Sequence, residues 1–159
     1  MEWDEFVEQY YNPIFRFCFQ ILGSREEAED LTQDTFFKAY KSFATLEKPE
    51  SAKYWIYSIA RNGCIDRKRW WKRILLQDTL SDELPANSGQ PDLSITLRKL
   101  IQKLPQKQRE VFVMRHWHGF STEETARALG IDPGTVKSHL KRAIDKLKRQ
   151  LSSDNQGPE

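Results

Sequence analysis

Apolar side chains return every three or four residues along most of this chain, and no stretch alternates apolar with polar at a period of two. That spacing lines one face of a helix and leaves nothing to form a half-buried strand. The chain is therefore expected to be all-α. The first run is Trp3, Phe6, Val7, Tyr10, Ile14, Phe17, Cys18, Ile21 and Leu22. Pro13 falls inside it and should kink or restart the helix. Gly23-Ser24 ends that segment, and Ser24 with Glu27 reads as a capping box for a helix over 25–43. A third helix is expected over 53–73. Asn62-Gly63 is a hairpin dipeptide with helical flanks, and glycine costs about 1 kcal/mol in a helix interior, so a local irregularity is expected near Asn62. Between 77 and 92 lie Ser81, Pro85, Asn87, Ser88, Gly89 and Pro91 with little periodicity, the composition of a linker. Helix resumes over 93–104, breaks at Pro105 and continues over 106–118.

The total charge of +2 conceals a strong pattern. Residues 1–50 hold 11 acids against 5 bases, whereas 51–73 hold 7 bases against Asp66 alone. Residues 74–92 carry Asp78, Asp82, Glu83 and Asp92 without a base, and the remainder holds 13 bases against 7 acids. Such asymmetry assigns separate surfaces to separate partners, a polyanion among them. Two cysteines, Cys18 and Cys64, make neither a disulfide framework nor a four-cysteine zinc site, so a reducing, cytoplasmic setting is expected. No apolar run approaches the roughly 20 residues that span a bilayer, and the acidic start Met1-Glu2-Trp3-Asp4-Glu5 has the wrong sign for a signal peptide. The expected architecture is two small helical domains, 1–75 and 93–152, joined by a flexible acidic linker over 76–92, with a disordered tail over 153–159.

Three surfaces carry chemistry. On the second helix, Ala28, Leu31, Thr35, Phe36, Ala39 and Phe43 form the inward stripe, which turns Phe37 outward among Asp30, Gln33, Asp34 and Lys41. An aromatic in a charged rim is either a small satellite contact or a protein-docking anchor. The third helix runs from Tyr54, Trp55, Ile56, Ile59 and Ala60 into Arg61-Asn62-Gly63-Cys64-Ile65-Asp66-Arg67-Lys68-Arg69-Trp70-Trp71-Lys72-Arg73. Bases attract phosphates, exposed aromatics stack on unpaired nucleobases, and Asn62 can hydrogen-bond a base edge. Trp70 and Trp71 could instead cap the domain core. In the C-terminal domain, Ser121-Thr122-Glu123-Glu124 is a capping box, Gly130 a left-handed stop, and Asp132-Pro133 a second helix start. The last helix should bury Val136, Leu140, Ala143, Ile144 and Leu147 and turn out Thr135, Ser138, Lys141, Arg142 and Arg149, with Lys137 and His139 on the flanks. Two helices across a short turn, the second outwardly basic, make a helix-turn-helix whose outer residues enter a major groove. His116 and His118 flank Trp117 without a Cys or a convincing carboxylate nearby, so no metal is expected. With no phosphate-cradling loop and no nucleophile elbow, neither a cofactor nor enzymatic activity is expected.

Four blocks in this order resemble the extracytoplasmic-function sigma factors, small two-domain members of the bacterial sigma-70 class. They are Asp30-Leu31-Thr32-Gln33-Asp34-Thr35-Phe36-Phe37-Lys38-Ala39-Tyr40, Trp55-Ile56-Tyr57-Ser58-Ile59-Ala60-Arg61-Asn62, Leu104-Pro105 with Arg109-Glu110-Val111-Phe112, and Gly134-Thr135-Val136-Lys137-Ser138. The resemblance covers about residues 3–151. It implies a non-enzymatic subunit that binds core RNA polymerase and directs promoter-specific initiation. Asp30, Gln33, Asp34, Phe37 and Lys41 would dock on the polymerase. By the same resemblance Phe43 would begin the loop that captures a base flipped from the −10 non-template strand, Asn62 and Asp66 would line its pocket, and Arg61, Arg67, Lys68 and Arg69 would hold backbone phosphates. Thr135, Lys137, Ser138, His139, Lys141 and Arg142 would meet the duplex −35 element. The acidic linker would thread the RNA path, although composition alone fits a plain tether equally well. An anti-sigma factor, often membrane-tethered in this family, is expected to hold the chain inactive. The competing reading is a free-standing helix-turn-helix regulator whose N-terminal domain senses a ligand or binds another protein.

Overall fold

A computed structural model describes residues 1–75 and 93–155, and every regular element among them is helical. The linker at 76–92 and residues 156–159 lie outside the described residues. The N-terminal unit is three helices: α1 (Trp3–Leu22), α2 (Arg25–Ser42) and α3 (Ala52–Leu75). Four follow: α4 (Leu93–Gln102), α5 (Gln106–His116), α6 (Thr122–Leu129) and α7 (Pro133–Asn155). Helix α7 extends three residues beyond the expected domain limit at 152, so the tail predicted over 153–159 is helical at its start.

Helix α1 runs through Pro13 without a break, so the proline does not restart it. Proline deletes one backbone hydrogen bond, but Phe6 on one side and Ile14, Phe17 and Ile21 on the other are fully buried and fix the helix across the gap. Helix α2 starts on Ser24, whose hydroxyl accepts the Glu27 N–H at 3.3 Å. Its inward stripe is as expected, with Thr32 added and Phe43 half-buried.

Helix α3 likewise continues through Asn62-Gly63. Glycine is there for closeness rather than flexibility. A Cβ at Gly63 would stand 2.5 Å from Cδ1 of Leu31, so the absent side chain lets α2 and α3 approach.

In the C-terminal unit Ser121 accepts from the Glu124 N–H at 3.0 Å while the Glu124 carboxylate accepts from the Ser121 N–H at 3.1 Å, completing the capping box. Gly130 stops α6 at φ +66°, and the Asp132 carboxylate accepts the Gly134 N–H at 2.9 Å at the head of α7. Val136, Ala143 and Leu147 are buried as expected, whereas Leu140 and Ile144 are half-buried.

The two units touch directly, which no local pattern in the chain announces. Tyr57 of α3 meets Phe120, which precedes α6, at 4.8 Å between ring centroids, and both are buried. Around that apolar centre the contacts are polar. The Tyr54 hydroxyl donates to Glu124 at 2.9 Å, Ser58 donates to the Ala128 carbonyl at 3.1 Å, and Gln102 donates to the Gln20 carbonyl at 2.6 Å. The Ser121 backbone and the Tyr54 hydroxyl hold the Glu124 carboxyl below its ordinary pKa. The buried Arg109 guanidinium donates to the carbonyls of Ile101 (3.0 Å), Leu104 (2.9 Å), Gln102 and, across the seam, Ile21 (3.3 Å). Its burial without a neutralising partner in direct contact lowers its pKa.

Candidate nucleic-acid interface

Successive residues on α3 point about 100° apart, so its basic end is divided between two directions. Arg61, Asn62, Asp66, Lys68 and Arg69 face an open cleft of about 860 Å³, together with Ile65, Lys72 and, from the C-terminal unit, Gln106 and Lys107. Five cations against one carboxylate make this cleft electropositive, with Asn62 and Asp66 exposed in its wall. Trp70 is 50% exposed, so half of its surface stays open. The side chain of Trp71 lies outside the described ones. Lys72, Gln106 and Lys107 were missing from the sequence-derived set. Lys72 continues the α3 spacing, but nothing in the sequence brings α5 to this cleft.

Arg67 departs from its neighbours. Its guanidinium binds Glu27 at 2.8 Å, Asp30 at 2.7 Å and Asp34 at 2.9 Å. Partial burial by itself would lower its pKa, but the Asp30 and Glu27 carboxylates, with Asp34, outweigh burial and raise it above the ordinary arginine value. The expectation that Arg67 joins Arg61, Lys68 and Arg69 in one phosphate-facing set is therefore corrected for this structure. One turn beyond Gly63, where α3 abuts α2, position 67 faces the acidic side of α2. Asp30 and Asp34, expected to dock on the polymerase, are tied to it.

Arg61 lines the cleft but is also engaged. Its Nε stands 3.2 Å from both oxygens of Glu110, whose side chain is fully buried and takes a further hydrogen bond from Gln106 at 2.7 Å. The signal of Glu110 in the sequence is a carboxylate beside Val111 within the buried side of α5.

The rest of the α2 face is open. Phe37 is 63% exposed with the Lys41 ammonium 4.5 Å above its ring, and Gln33 is exposed beside it. Tyr40, not singled out from the sequence, is 64% exposed and meets Trp3 edge-on at 5.2 Å. Phe43 instead packs against Trp3 and Phe6, at 5.1 and 5.2 Å, and is half-buried at the start of the loop leading to α3. On α7, Thr135, Lys137, Ser138, Lys141 and Arg142 are exposed, and Ser138 donates to the Gly134 carbonyl at 3.1 Å. His139 turns partly inward, and burial followed by the nearby Arg142 and Lys107 lowers its pKa.

Among the described residues no group of three His, Cys, Asp or Glu side chains could hold a metal, and no helix is long and apolar enough to cross a membrane. His118 is committed elsewhere, with Nδ1 at 2.9 Å from the Tyr57 hydroxyl and Nε2 at 2.6 Å from Gln20 Oε1. Burial, reinforced by Arg16 and Lys53, depresses its pKa to about 4.

The chain matches the family models for sigma-70 region 2 over residues 6–73 and sigma-70 region 4 over 94–147. It is 32% identical to the RNA polymerase sigma-E factor of Streptomyces coelicolor over 95% of this chain and 86% of that one. It belongs to the extracytoplasmic-function sigma factors. A second relative, the ECF RNA polymerase sigma factor SigW of Bacillus subtilis, is 31% identical over 92% of this chain and 87% of its own length. Among solved structures, the sigma factor RpoE of Bartonella quintana, in complex with the anti-sigma factor NepR, superposes with a TM-score of 0.79 at 28% identity, covering 95% of this chain and 97% of that one. This sigma factor is thus a transcription-initiation subunit and not an enzyme: it works with core RNA polymerase on promoter DNA. Membership sets aside the free-standing regulator.

Proposed function

We propose that this sigma factor divides promoter reading between its two units, with 1–75 docking on the polymerase and opening the −10 element and 93–152 reading the −35 duplex. The observation that carries the reading is the cleft that gathers Arg61, Asn62, Asp66, Lys68 and Arg69 on one side of α3. Cations hold the backbone of a separated strand without regard to sequence, and Asn62 and Asp66 supply the donors and acceptors that tell one flipped base from another. Phe37, Lys41 and Gln33, with the Arg67-bound Asp30 and Asp34, form the docking face on α2. Phe43 seats the root of the base-capturing loop against the core rather than stacking on the base itself. On α7 the exposed Lys137, Lys141 and Arg142 meet the major groove, Ser138 and Thr135 the groove edge, and His139 the neighbouring backbone. A cytoplasmic chain held by an anti-sigma factor is in keeping with the Bartonella complex, in which a similar fold is bound to one.

The test is Asn62→Ala assayed in holoenzyme. Strand opening, followed by permanganate reactivity of unpaired thymines, should fall further than closed-complex binding. Equal loss of both removes Asn62 from the strand pocket.

A further inference from the structure

Arg16 has no task in the surfaces described so far. It stands exposed on α1, and among the described residues no carboxylate lies within ion-pair distance of it. It borders a cavity of about 520 Å³ that shares no lining residue with the strand cleft. One wall is α1, where Arg16 and Gln20 are four residues apart and so share a face. The second is α3, with Lys53 and Tyr57 at the same spacing, and Trp117 and His118, just after α5, complete the lining. No carboxylate lines it. The Oε1 of Gln20 can only accept, so its 2.6 Å contact puts the proton of neutral His118 on Nε2, and Nδ1 accepts from the Tyr57 hydroxyl at 2.9 Å. With that oxygen engaged, Gln20 offers the cavity its amide N–H₂.

We propose that this cavity binds a small phosphate monoester bearing a planar ring, the chemistry of a mononucleotide, with the phosphate on Arg16 and Lys53 and the ring on Trp117. A donor-rich wall with two cations fits an oxyanion, and arginine grips a phosphate through two parallel N–H bonds. Lys53 is loosely held, its ammonium 3.9 Å from Glu124 and 4.4 Å from the ring centroid of Phe120, so it can turn to a stronger anion. Both charges reach the cavity lining, for after burial they are what depresses the His118 pKa. The space exceeds what a bare oxyanion needs and falls within the roughly 300–1,000 Å³ of small-ligand pockets. Trp117 is 36% exposed and Tyr10 half-buried, so flat apolar faces stand beside the cations. Stacking accepts any nucleobase, because each has a π-face. A ligand seated there touches α1, α3 and the turn before α6, and by binding the folded chain alone it raises the unfolding midpoint.

The experiment titrates the full chain with AMP, ribose 5-phosphate and adenosine and follows the His118 ring signal by NMR. His118→Gln assigns that signal, and His139, on α7 and outside the cavity, is the reference. AMP should shift His118 saturably and leave His139 in place. Ribose 5-phosphate, which lacks the stacked ring, should bind about tenfold more weakly, and adenosine should leave the signal unmoved. Arg16→Gln and Lys53→Gln should each weaken AMP binding at least tenfold. Trp117→Leu should bring AMP down to the level of ribose 5-phosphate. Arg16 is exposed, so its replacement should leave the thermal midpoint of the free chain where it was, which separates lost binding from lost folding. No saturable shift with AMP, or a shift that survives Arg16→Gln and Lys53→Gln together, overturns the proposal. Adenosine matching AMP overturns the phosphate assignment, and ribose 5-phosphate matching AMP overturns the ring.

Discussion

Gly63 fixes the spacing of α2 and α3, the helices that carry the proposed docking face and the cleft. A Cβ built there lies 2.5, 3.5 and 3.7 Å from Cδ1, Cγ and Cδ2 of Leu31. Ordinary carbon contacts sit at about 3.5–4.0 Å, so the first is short by about 1 Å. Leu31 is only 3% exposed, so any retreat has to be made within the core. Overpacking of this kind costs about 1–3 kcal/mol, and a tightly held neighbour puts this site near the upper end. Against it stands the helix propensity of alanine over glycine, about 1 kcal/mol. Gly63→Ala should therefore destabilise the chain by about 1–2 kcal/mol, lowering the thermal midpoint by about 2–8 °C. A double-mutant cycle isolates the cause. In a Leu31→Ala background the overlap is gone, and Gly63→Ala should there stabilise by about 1 kcal/mol, a coupling of about 2–3 kcal/mol. The measurement is reversible denaturant unfolding of the four chains. If Gly63→Ala stabilises the parent chain, helix propensity alone governs the site and the argument from close approach is wrong.

Phe37 is exposed and anchors no core, so Phe37→Ala should leave the unfolding midpoint in place. Its affinity for core polymerase, read by titration, should nonetheless fall by about 30-fold, the loss of a central hot spot of about 2 kcal/mol; unaltered affinity removes Phe37 from the docking face. His118 supplies the pH dependence. Its pKa falls from an ordinary 6.5 to about 4 in the folded chain, through burial first and the Arg16 and Lys53 charges next. The unfolded chain thus takes up a proton that the folded one refuses. Stability contributed by neutral His118 is complete above pH 6.5 and is lost as pH falls toward 4, by about 2 kcal/mol at pH 5. His118→Gln should flatten that part of the stability-against-pH curve, and an unchanged slope would show that another group is responsible.

What was legible in the sequence was whatever depends on neighbours a few residues apart. The all-α class, the buried stripe of α2, the outward Phe37, the Ser121–Glu124 capping box and the Gly130 stop are each written within one or two turns. Misreadings arose where distant packing overrides a local rule. Pro13 does not break α1, because Phe6, Ile14, Phe17 and Ile21 hold it from the core side. Gly63 is a point of close contact and not an irregularity, which only Leu31, 32 positions earlier, can reveal. For the cleft, residues on one helix were found by periodicity, whereas Gln106 and Lys107 arrive from the other unit. Arg67 and Glu110 were both visible as charges, but a charge does not name its partner in advance.

The ion cluster of Arg67 with Glu27, Asp30 and Asp34 has a practical consequence for anyone exchanging parts between related sigma factors. The acidic face of α2 is not an independent cassette: its charge is set in part by a residue on α3, the helix that carries the strand cleft. Grafting a foreign α2 while keeping Arg67 would strand a half-buried cation, and grafting a foreign α3 that lacks it would leave three carboxylates crowded without a counterion. The two helices are in this way inherited together, and a chimera has to cross over outside both to keep their shared ion cluster.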